Sequence, residues 1–412
     1  MSQTTPVSVD QLKVGHYVVL PFGWKNHPFL FSSFRIKDEE QLQILRDLGV
    51  RAIPVDLAKS VVIEEEPAPP EPEEPLIEPE ITIPDQHKAQ QQAARRSIRQ
   101  AERSYTNALS PLRESLTRLN LKPDEGLATV AELVRNAAVS LAEQEGSVGF
   151  HLVRSIRNGD PLLLHSLNVA FIAMLIAREA GWDPLAIKDA GLAGLVHDIG
   201  ELRIPTQVTR KRTELTKAEV NFLKLHVQYS FEQLTQLKAY TPEVRQATLQ
   251  HHECLDGSGY PSGLKDGEIA PLSRLIAVVD YYEEQLHPRN GLGTAHPNQV
   301  IASLYKKANK QFDSQFTQLL IKVLGVYPPG SVVTLSDGTL ALVMSSEPSA
   351  PLKPMVLPYE KGRVQEGVDL IALQNDERTI SGIVAHEDLT PQQQEFFGIT
   401  KHACYYFSLP HE

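Results

Sequence analysis

The sequence predicts a mainly α-helical protein. A helical bundle forms its core, a small α+β module and an acidic, proline-rich linker precede it, and a small β-rich module follows. Three observations carry this reading. Apolar residues recur at helical spacing from about residue 88 to residue 324. A run of glutamates and prolines interrupts the pattern before that stretch. Short apolar runs with turn residues replace it afterwards. With 412 residues, 42% hydrophobic and 22% charged, the chain has the composition of a folded protein of two or three domains.

Residues 1–61 alternate short apolar runs (Tyr17–Leu20, Ala52–Val55) with an amphipathic stretch over Glu39–Leu48, which is the pattern of a small α+β module. Trp24, Phe29, Leu30 and Phe31 read as core of this module rather than as a ligand site. Residues 62–87 hold nine acidic side chains between Glu64 and Asp85, no Lys or Arg in that interval, and prolines at 67, 69, 70, 72, 75, 79 and 84. Proline removes backbone donors and like charges repel, so this segment is expected to be an extended, solvated linker.

Residues 88–144 then form a helical connector. Ile98, Tyr105, Leu109, Leu112, Leu116 and Leu119 make one stripe, beside Arg95, Arg96, Arg99 and Arg103. Such a helix either packs on a neighbouring element or pairs with a second copy, so a homodimer is one expectation. Leu127, Val130, Leu133, Val134, Ala137 and Leu141 make the next stripe. Within residues 145–325, Leu167–Ala180 and Pro184–Val196 read as helices, the latter opening on a first-turn proline. Thr216 and Glu219 form a capping box that starts another helix, and Pro242 starts one more. Residues 326–412 form the β-rich module, announced by Ser331–Leu335, a Ser336-Asp337-Gly338 turn and Leu340–Met344, a hairpin signal.

The formal net charge is −11, and the nine linker acids account for most of it, leaving −11 + 9 = −2 elsewhere. The folded parts therefore lack the basic footprint that binding DNA phosphates requires. No uninterrupted apolar run reaches the roughly 18–20 residues of a membrane span. The opening residues lack a basic region followed by an apolar one, so no secretory signal is expected. Cys254 and Cys404 are too few for a disulfide framework, and a cytoplasmic location is the natural expectation.

The chemistry lies in the placement of histidines and aspartates. His165 sits within LLLHSLNVA, His197-Asp198 ends the apolar GLAGLVHDIG, and His226 follows the capping box. His251-His252 precedes ECLDGSGYP, and Asp280 ends RLIAVVD. Each falls at the end or on the inner face of an apolar helix, where an unpaired polar group is costly to bury. Any one of them alone would be a satisfied core residue. Seven on five helices point to one shared centre. Imidazoles and carboxylates are ligands for divalent transition metals. Five histidines and two aspartates exceed the needs of one ion and suit two ions bridged by a carboxylate and a water.

The order His165, His197-Asp198, His226, His251-His252-Glu253, Asp256-Gly257-Ser258-Gly259-Tyr260-Pro261, Asp280 resembles the HD-GYP domain, a branch of the HD metal-dependent phosphohydrolases. The resemblance covers roughly residues 145–325, and residues 1–61 and the YPPGSVVTLSDG stretch also resemble modules that flank such domains. It implies an HD-type helical core and a phosphodiesterase that hydrolyses the bacterial second messenger cyclic di-GMP to pGpG, with GMP as a further product. It assigns one divalent ion (iron, manganese or nickel) to His165, His197, Asp198 and Asp280, and a second to His226, His251, His252 and the bridging Asp198. A hydroxide between the ions is the implied nucleophile, with His197 and Asp198 at the catalytic centre. Substrate contacts are expected from Gly259, Tyr260, Pro261, Arg289 and the residue at 201. The GYP loop is also expected to meet partner proteins such as a diguanylate cyclase.

The family's His-Asp-x-Gly-Lys reads His197-Asp198-Ile199-Gly200-Glu201 here, and a carboxylate in place of lysine repels a phosphate. The position four before the first histidine is Pro161, where members with a third metal have glutamate; two ions are therefore expected. The family's Asp-x-x-Asp is Asp280-x-x-Glu283. Glu201 leaves two alternatives open: a catalytically weak relative acting as a nucleotide receptor or partner-binding module, and an HD hydrolase for another nucleotide.

Overall fold

The computed structural model describes residues 4–20, 33–47, 52–61, 83–118, 123–154, 156, 159–235, 237–288, 296–399 and 402–407. The chain divides into two compact units, Met1–Ala89 and Gln90–Glu412.

The first unit is the expected α+β module. β1 (Thr5–Ser8), β2 (Tyr17–Val19), β3 (Ser33–Arg35), α1 (Glu39–Asp47) and β4 (Ala52–Val55) follow in order, and the strands pair antiparallel as β1-β4-β2-β3. Leu12, Val18, Leu20, Ile36, Leu42, Leu45, Ile53 and Val55 fill its core. The expected core residues Trp24, Phe29, Leu30 and Phe31 lie outside the described residues, as does most of the acidic linker.

α2 (Ile83–Arg118) begins five residues before the helical start anticipated at 88. Pro84 falls in the first turn, where its missing N–H has no intrahelical partner to lose, and the Gln- and Ala-rich sequence after Asp85 favours helix. Ile98, Tyr105, Leu109 and Leu112 are buried in one core with Leu127, Val130, Val134 and Leu141 of α3 (Pro123–Glu143). These four residues of the stripe are thus covered by their own chain, as the simpler of its two readings has it; Leu116 and Leu119 lie outside the described side chains. Gln91 and Arg95 on α2 also bond to the tail, Arg95 Nη2 donating to the Val368 carbonyl at 2.6 Å.

β5 (Phe150–Val153) precedes α4 (Pro161–Glu179), α5 (Pro184–Val196), a 3-10 turn (Ile199–Arg203) and the short α6 (Thr206–Thr209). Then come α7 (Lys217–Leu223), α8 (His226–Thr235), α9 (Pro242–Gln250), α10 (Pro271–Leu286), α11 (Pro297–Lys307) and α12 (Ser314–Leu324). α5 and α9 start at the prolines that predict them, each behind a side-chain cap from Asp183 or Thr241. The capping box before α7 closes in both directions: Thr216 Oγ1 accepts from Glu219 N at 3.3 Å, and Glu219 Oε2 accepts from Thr216 N at 2.7 Å.

α4 is apolar and long enough to cross a membrane, but 83% of its apolar window is buried inside the protein. Helices cover it on several sides and Phe171 meets Tyr406 at 4.5 Å, so its apolarity is that of a core helix.

The tail supplies β6 (Val332–Leu335), β7 (Leu340–Ser346), β8 (Met355–Pro358), β9 (Ile371–Ala372), β10 (Ile380–Val384), α13 (Pro391–Phe397) and β11 (Cys404–Phe407). β6 and β7 form the anticipated hairpin, with Gly338 at φ +85° in its turn. The sheet runs β10-β6-β7-β5-β11, with β8 paired to β7 and β9 paired to β8. β11, near the chain end, pairs antiparallel with β5, just before α4. Connector, helical core and tail therefore share one packed body.

Candidate metal centre

The loops and helix ends carry the site because the helices feeding them pack unusually close. A Cβ on Gly194 would stand 2.7 Å from the Ala170 Cα, so α5 can lie against α4 only with glycine there. That contact brings His197, at the end of α5, beside His165 on α4: their Nε2 atoms are 3.1 Å apart. Gly200 does the same for α8. Its Cβ would stand 2.2 Å from the His226 carbonyl oxygen, and its N–H donates to Ser230 Oγ at 2.9 Å. Ser230 in turn donates to the His197 carbonyl at 2.7 Å.

All seven anticipated ligands converge, and all are buried or nearly so. Asp198 faces both ways. Its Oδ2 lies 3.3 Å from His197 Nε2 and 3.6 Å from His165 Nε2. Its Oδ1 lies 3.1 Å from His226 Nε2 and 3.5 Å from His251 Nε2. Asp280 Oδ1 faces His165 and His197 at 3.2 and 3.4 Å, and its Oδ2 lies 3.6 Å from His252 Nδ1. Two donor sets result, sharing Asp198: His165, His197, Asp198 and Asp280; and Asp198, His226, His251 and His252.

One local device orients three of the imidazoles. His197, His226 and His251 each donate Nδ1–H to the carbonyl three residues earlier, on Gly194, Leu223 and Thr248, at 2.8, 2.8 and 2.9 Å. The lone pair on Nε2 then points inward, the tautomer a ligand needs. His165 uses a carboxylate for the same purpose: its Nδ1 bonds to Glu283 Oε2.

The donor set fits divalent cations. Donors bound at about 2.1 Å to one ion stand roughly 3.0–3.4 Å apart, close to the observed spacings. The charge balance agrees. Burial alone would lower His165, His197 and His226. Neighbouring carboxylates outweigh it, Glu283 and Asp280 for His165 and Asp198 for the other two, and His197 rises to about 9. Burial and the adjacent imidazoles keep His251 and His252 low. These carboxylates thus favour positive charge between them, and cations can supply it in place of protons.

The Asp256–Pro261 loop braces this cage. Gly257 takes φ +80°. Gly259 does not adopt positive φ; glycine is required because a Cβ would stand 2.4 Å from Cys254 N and 2.5 Å from the His252 carbonyl oxygen. Tyr260 N donates to that carbonyl at 3.1 Å, and its ring stacks on His252 at 4.7 Å with Lys224 Nζ 4.7 Å from the ring centre. Pro261 follows Tyr260 through a cis bond. Glu253 pins the far side, accepting from Ser262 N and Leu264 N at 2.7 and 3.0 Å.

Beside His165 opens a cleft lined by Asp160, Leu162, Glu201, Ile204, Arg210, Glu284 and His287. Glu201 is buried at its edge. Burial, then Asp280, raises Glu284 to about 7. Arg210 is paired with Asp160 at 3.0 Å, which leaves Glu201 and Glu284 as the other carboxyl groups of the lining. Arg289 lies outside the described residues. Sequence reasoning did not single out Gly194, Asn168, His287 or His402. The helix-packing glycine leaves a signal only in its place within an apolar helix, and the other three leave none.

A helical core that gathers five imidazoles and Asp280 around a shared Asp198 has a donor set able to hold divalent metal ions. Residues 153–316 match the HD domain, and residues 4–129 match a domain of unknown function, DUF3391. The HD-domain match spans all seven of these histidines and aspartates and the His251–Pro261 block, and the DUF3391 match precedes it. It is 28% identical over 362 residues to a cyclic di-GMP phosphodiesterase of Pseudomonas aeruginosa, covering 87% of this chain and 85% of that one. It is 31% identical to a cyclic di-GMP phosphodiesterase response regulator of Xanthomonas campestris, over 37% of this chain and 41% of the relative. It is also 31% identical to a 3'3'-cGAMP-specific phosphodiesterase of Vibrio cholerae, over 38% of this chain and 37% of the relative.

Proposed function

We propose that this protein is a metal-dependent phosphodiesterase that opens cyclic di-GMP to linear pGpG, with GMP as the product of a second cut. The observation that carries the reading is Asp198, whose two oxygens face two separate groups of imidazoles. His165, His197, Asp198 and Asp280 would hold one divalent ion, and Asp198, His226, His251 and His252 a second; iron, manganese and nickel all suit these ligands. Bound there, the pair would acidify water to a nucleophile at neutral pH and offset charge on the phosphate.

The chain's own residues set the conditions. Backbone carbonyls fix three imidazole tautomers. The loop of Gly259, Tyr260 and Pro261 backs His252, and substrate or a partner such as a diguanylate cyclase would contact the protein there. The dinucleotide would approach the metals through the cleft beside His165. Arg289 is assigned a phosphate or guanine contact. The similarity to the Pseudomonas phosphodiesterase over most of both chains supports the substrate.

The test is hydrolysis of cyclic di-GMP by protein purified anaerobically and analysed for metal, with products separated chromatographically. Asp198→Ala should lower turnover on the order of a thousandfold or more, because both donor sets lose a member. Unchanged turnover would overturn the assignment. A second reading has its own observation: the acidic side chain of Glu201 at the cleft favours a receptor that binds without cleaving, or a different cyclic dinucleotide as substrate. Binding without hydrolysis, or preference for another nucleotide in a panel, would decide for it.

A further inference from the structure

Glu283 belongs to neither donor set, yet it is fully buried beside them. Its Oε2 bonds to Nδ1 of His165. Its Oε1 accepts from His287 Nδ1 at 2.8 Å and from Asn168 Nδ2 at 2.9 Å, and it lies 2.9 Å from His402 Nε2. These groups are tied to the chain's last described segment. Asn168 Nδ2 donates to the Ala403 carbonyl at 2.8 Å, and Asn168 Oδ1 accepts from Tyr405 N at 3.3 Å. His287 Nε2 accepts from Ala403 N at 3.0 Å, and the rings of His287 and His402 stack at 3.9 Å.

Glu283, His287 and His402 are close enough to suggest a third ion, but the hydrogen bonding argues otherwise. His287 has both nitrogens engaged, Nε2 as acceptor from Ala403 and Nδ1 as donor to Glu283. A single oxygen of Glu283 faces three nitrogen groups at hydrogen-bond distance, which is the surrounding of an anion held by donors. His197, His226 and His251 each have a carbonyl to set their tautomer. His165 has Glu283, and Glu283 is fixed from the C-terminal strand.

We propose that the segment His402–Tyr405 is an outer part of the metal centre. Through Glu283 it holds His165 with Nε2 inward, making Glu283 and His402 positioning residues and the docked C-terminal strand a condition for loading the site of His165, His197, Asp198 and Asp280. This rests on the reading that the cage holds divalent ions. A carboxylate behind a ligating imidazole fixes its orientation and raises its basicity. His402 tightens that carboxylate from the opposite end of the chain.

The experiment titrates metal-free, full-length protein with Mn(II) by calorimetry and records melting of the metal-free forms. His402→Ala should weaken one of two metal equivalents by about 10–100-fold and leave the other unchanged. His402→Gln, whose amide N–H can reach the same oxygen, should restore most of the loss, with the metal-free melting temperature unchanged throughout. If His402→Ala does not fold, His402→Leu, which fills the space without donating, takes its place and the same selective loss is expected. Both equivalents binding as in wild type would overturn the proposal. So would equal weakening of both that the glutamine fails to rescue. A wild-type protein that takes up no Mn(II), Fe(II) or Ni(II) would overturn the cage reading itself, a result distinct from an insensitive His402 variant.

Discussion

At the scale of single residues, the departure with the largest chemical consequence is Glu201. The residue two before it, Ile199, and the glycine between them keep the turn after His197-Asp198 compact, and position 201 projects to the cleft beside His165. A lysine there would attract a substrate phosphate; a glutamate repels it, and the effect grows as the site dries. Glu201→Lys is therefore expected to raise kcat/KM for cyclic di-GMP by about tenfold or more, mainly through KM, since the interaction is present before and during the reaction. Steady-state kinetics on the two proteins checks this. A fall in kcat/KM would mean that the carboxylate itself recognises the substrate, through a guanine edge rather than a phosphate. The ligand side chains were legible because metal chemistry restricts which residue types can gather in an apolar interior. Glu283 was visible only as a variation on a spacing; its partner His402 lies on another element and left no local pattern.

At the scale of elements, close packing decides where the ligands point. The turn of residues 199–203 lies directly under α8, and Gly200 has no room for a side chain against the backbone of His226 and Ser230. Both clashing groups are main chain, so relief requires moving the helix that carries His226. Gly200→Ala should lower stability by about 1–3 kcal/mol and weaken the ion assigned to His226, His251 and His252. Thermal melting of metal-free protein and metal titration together check this; an unchanged melting temperature would show that α8 yields freely. The helices themselves were well marked in the sequence. First-turn prolines and side-chain caps fix the starts of α5, α7 and α9, because a helix's orphan N–H groups must be met by nearby residues. The start of α2 was not so marked, since the acidic run masks a first turn that begins at Ile83. The pairing of β11 with β5 was also illegible: strand register between distant segments is set by tertiary packing, and four-residue apolar runs suit many partners.

At the scale of the whole molecule, folding gathers Asp198, Asp280 and Glu283 with five imidazoles in one buried space, so its protonation and its metal content are linked. In the metal-free protein these carboxylates raise His165, His197 and His226, with His197 at about 9. A histidine raised above its unfolded value stabilises the metal-free fold below about pH 6.5 and loses that contribution as pH climbs through about 9. Metal binding runs the other way, because an ion must displace the protons from the nitrogens it takes. Its apparent affinity should therefore be weakest at low pH and rise by about tenfold per pH unit for each proton displaced, flattening above about pH 9. The loaded protein should accordingly gain most over the metal-free protein in alkaline solution. Mn(II) calorimetry between about pH 6 and pH 8, in buffers of different ionisation enthalpy, reads both the affinity and the protons released. Affinity independent of pH with no proton release would mean that the imidazoles stand neutral before metal arrives. The carboxylates would then have to be balanced by some other charge.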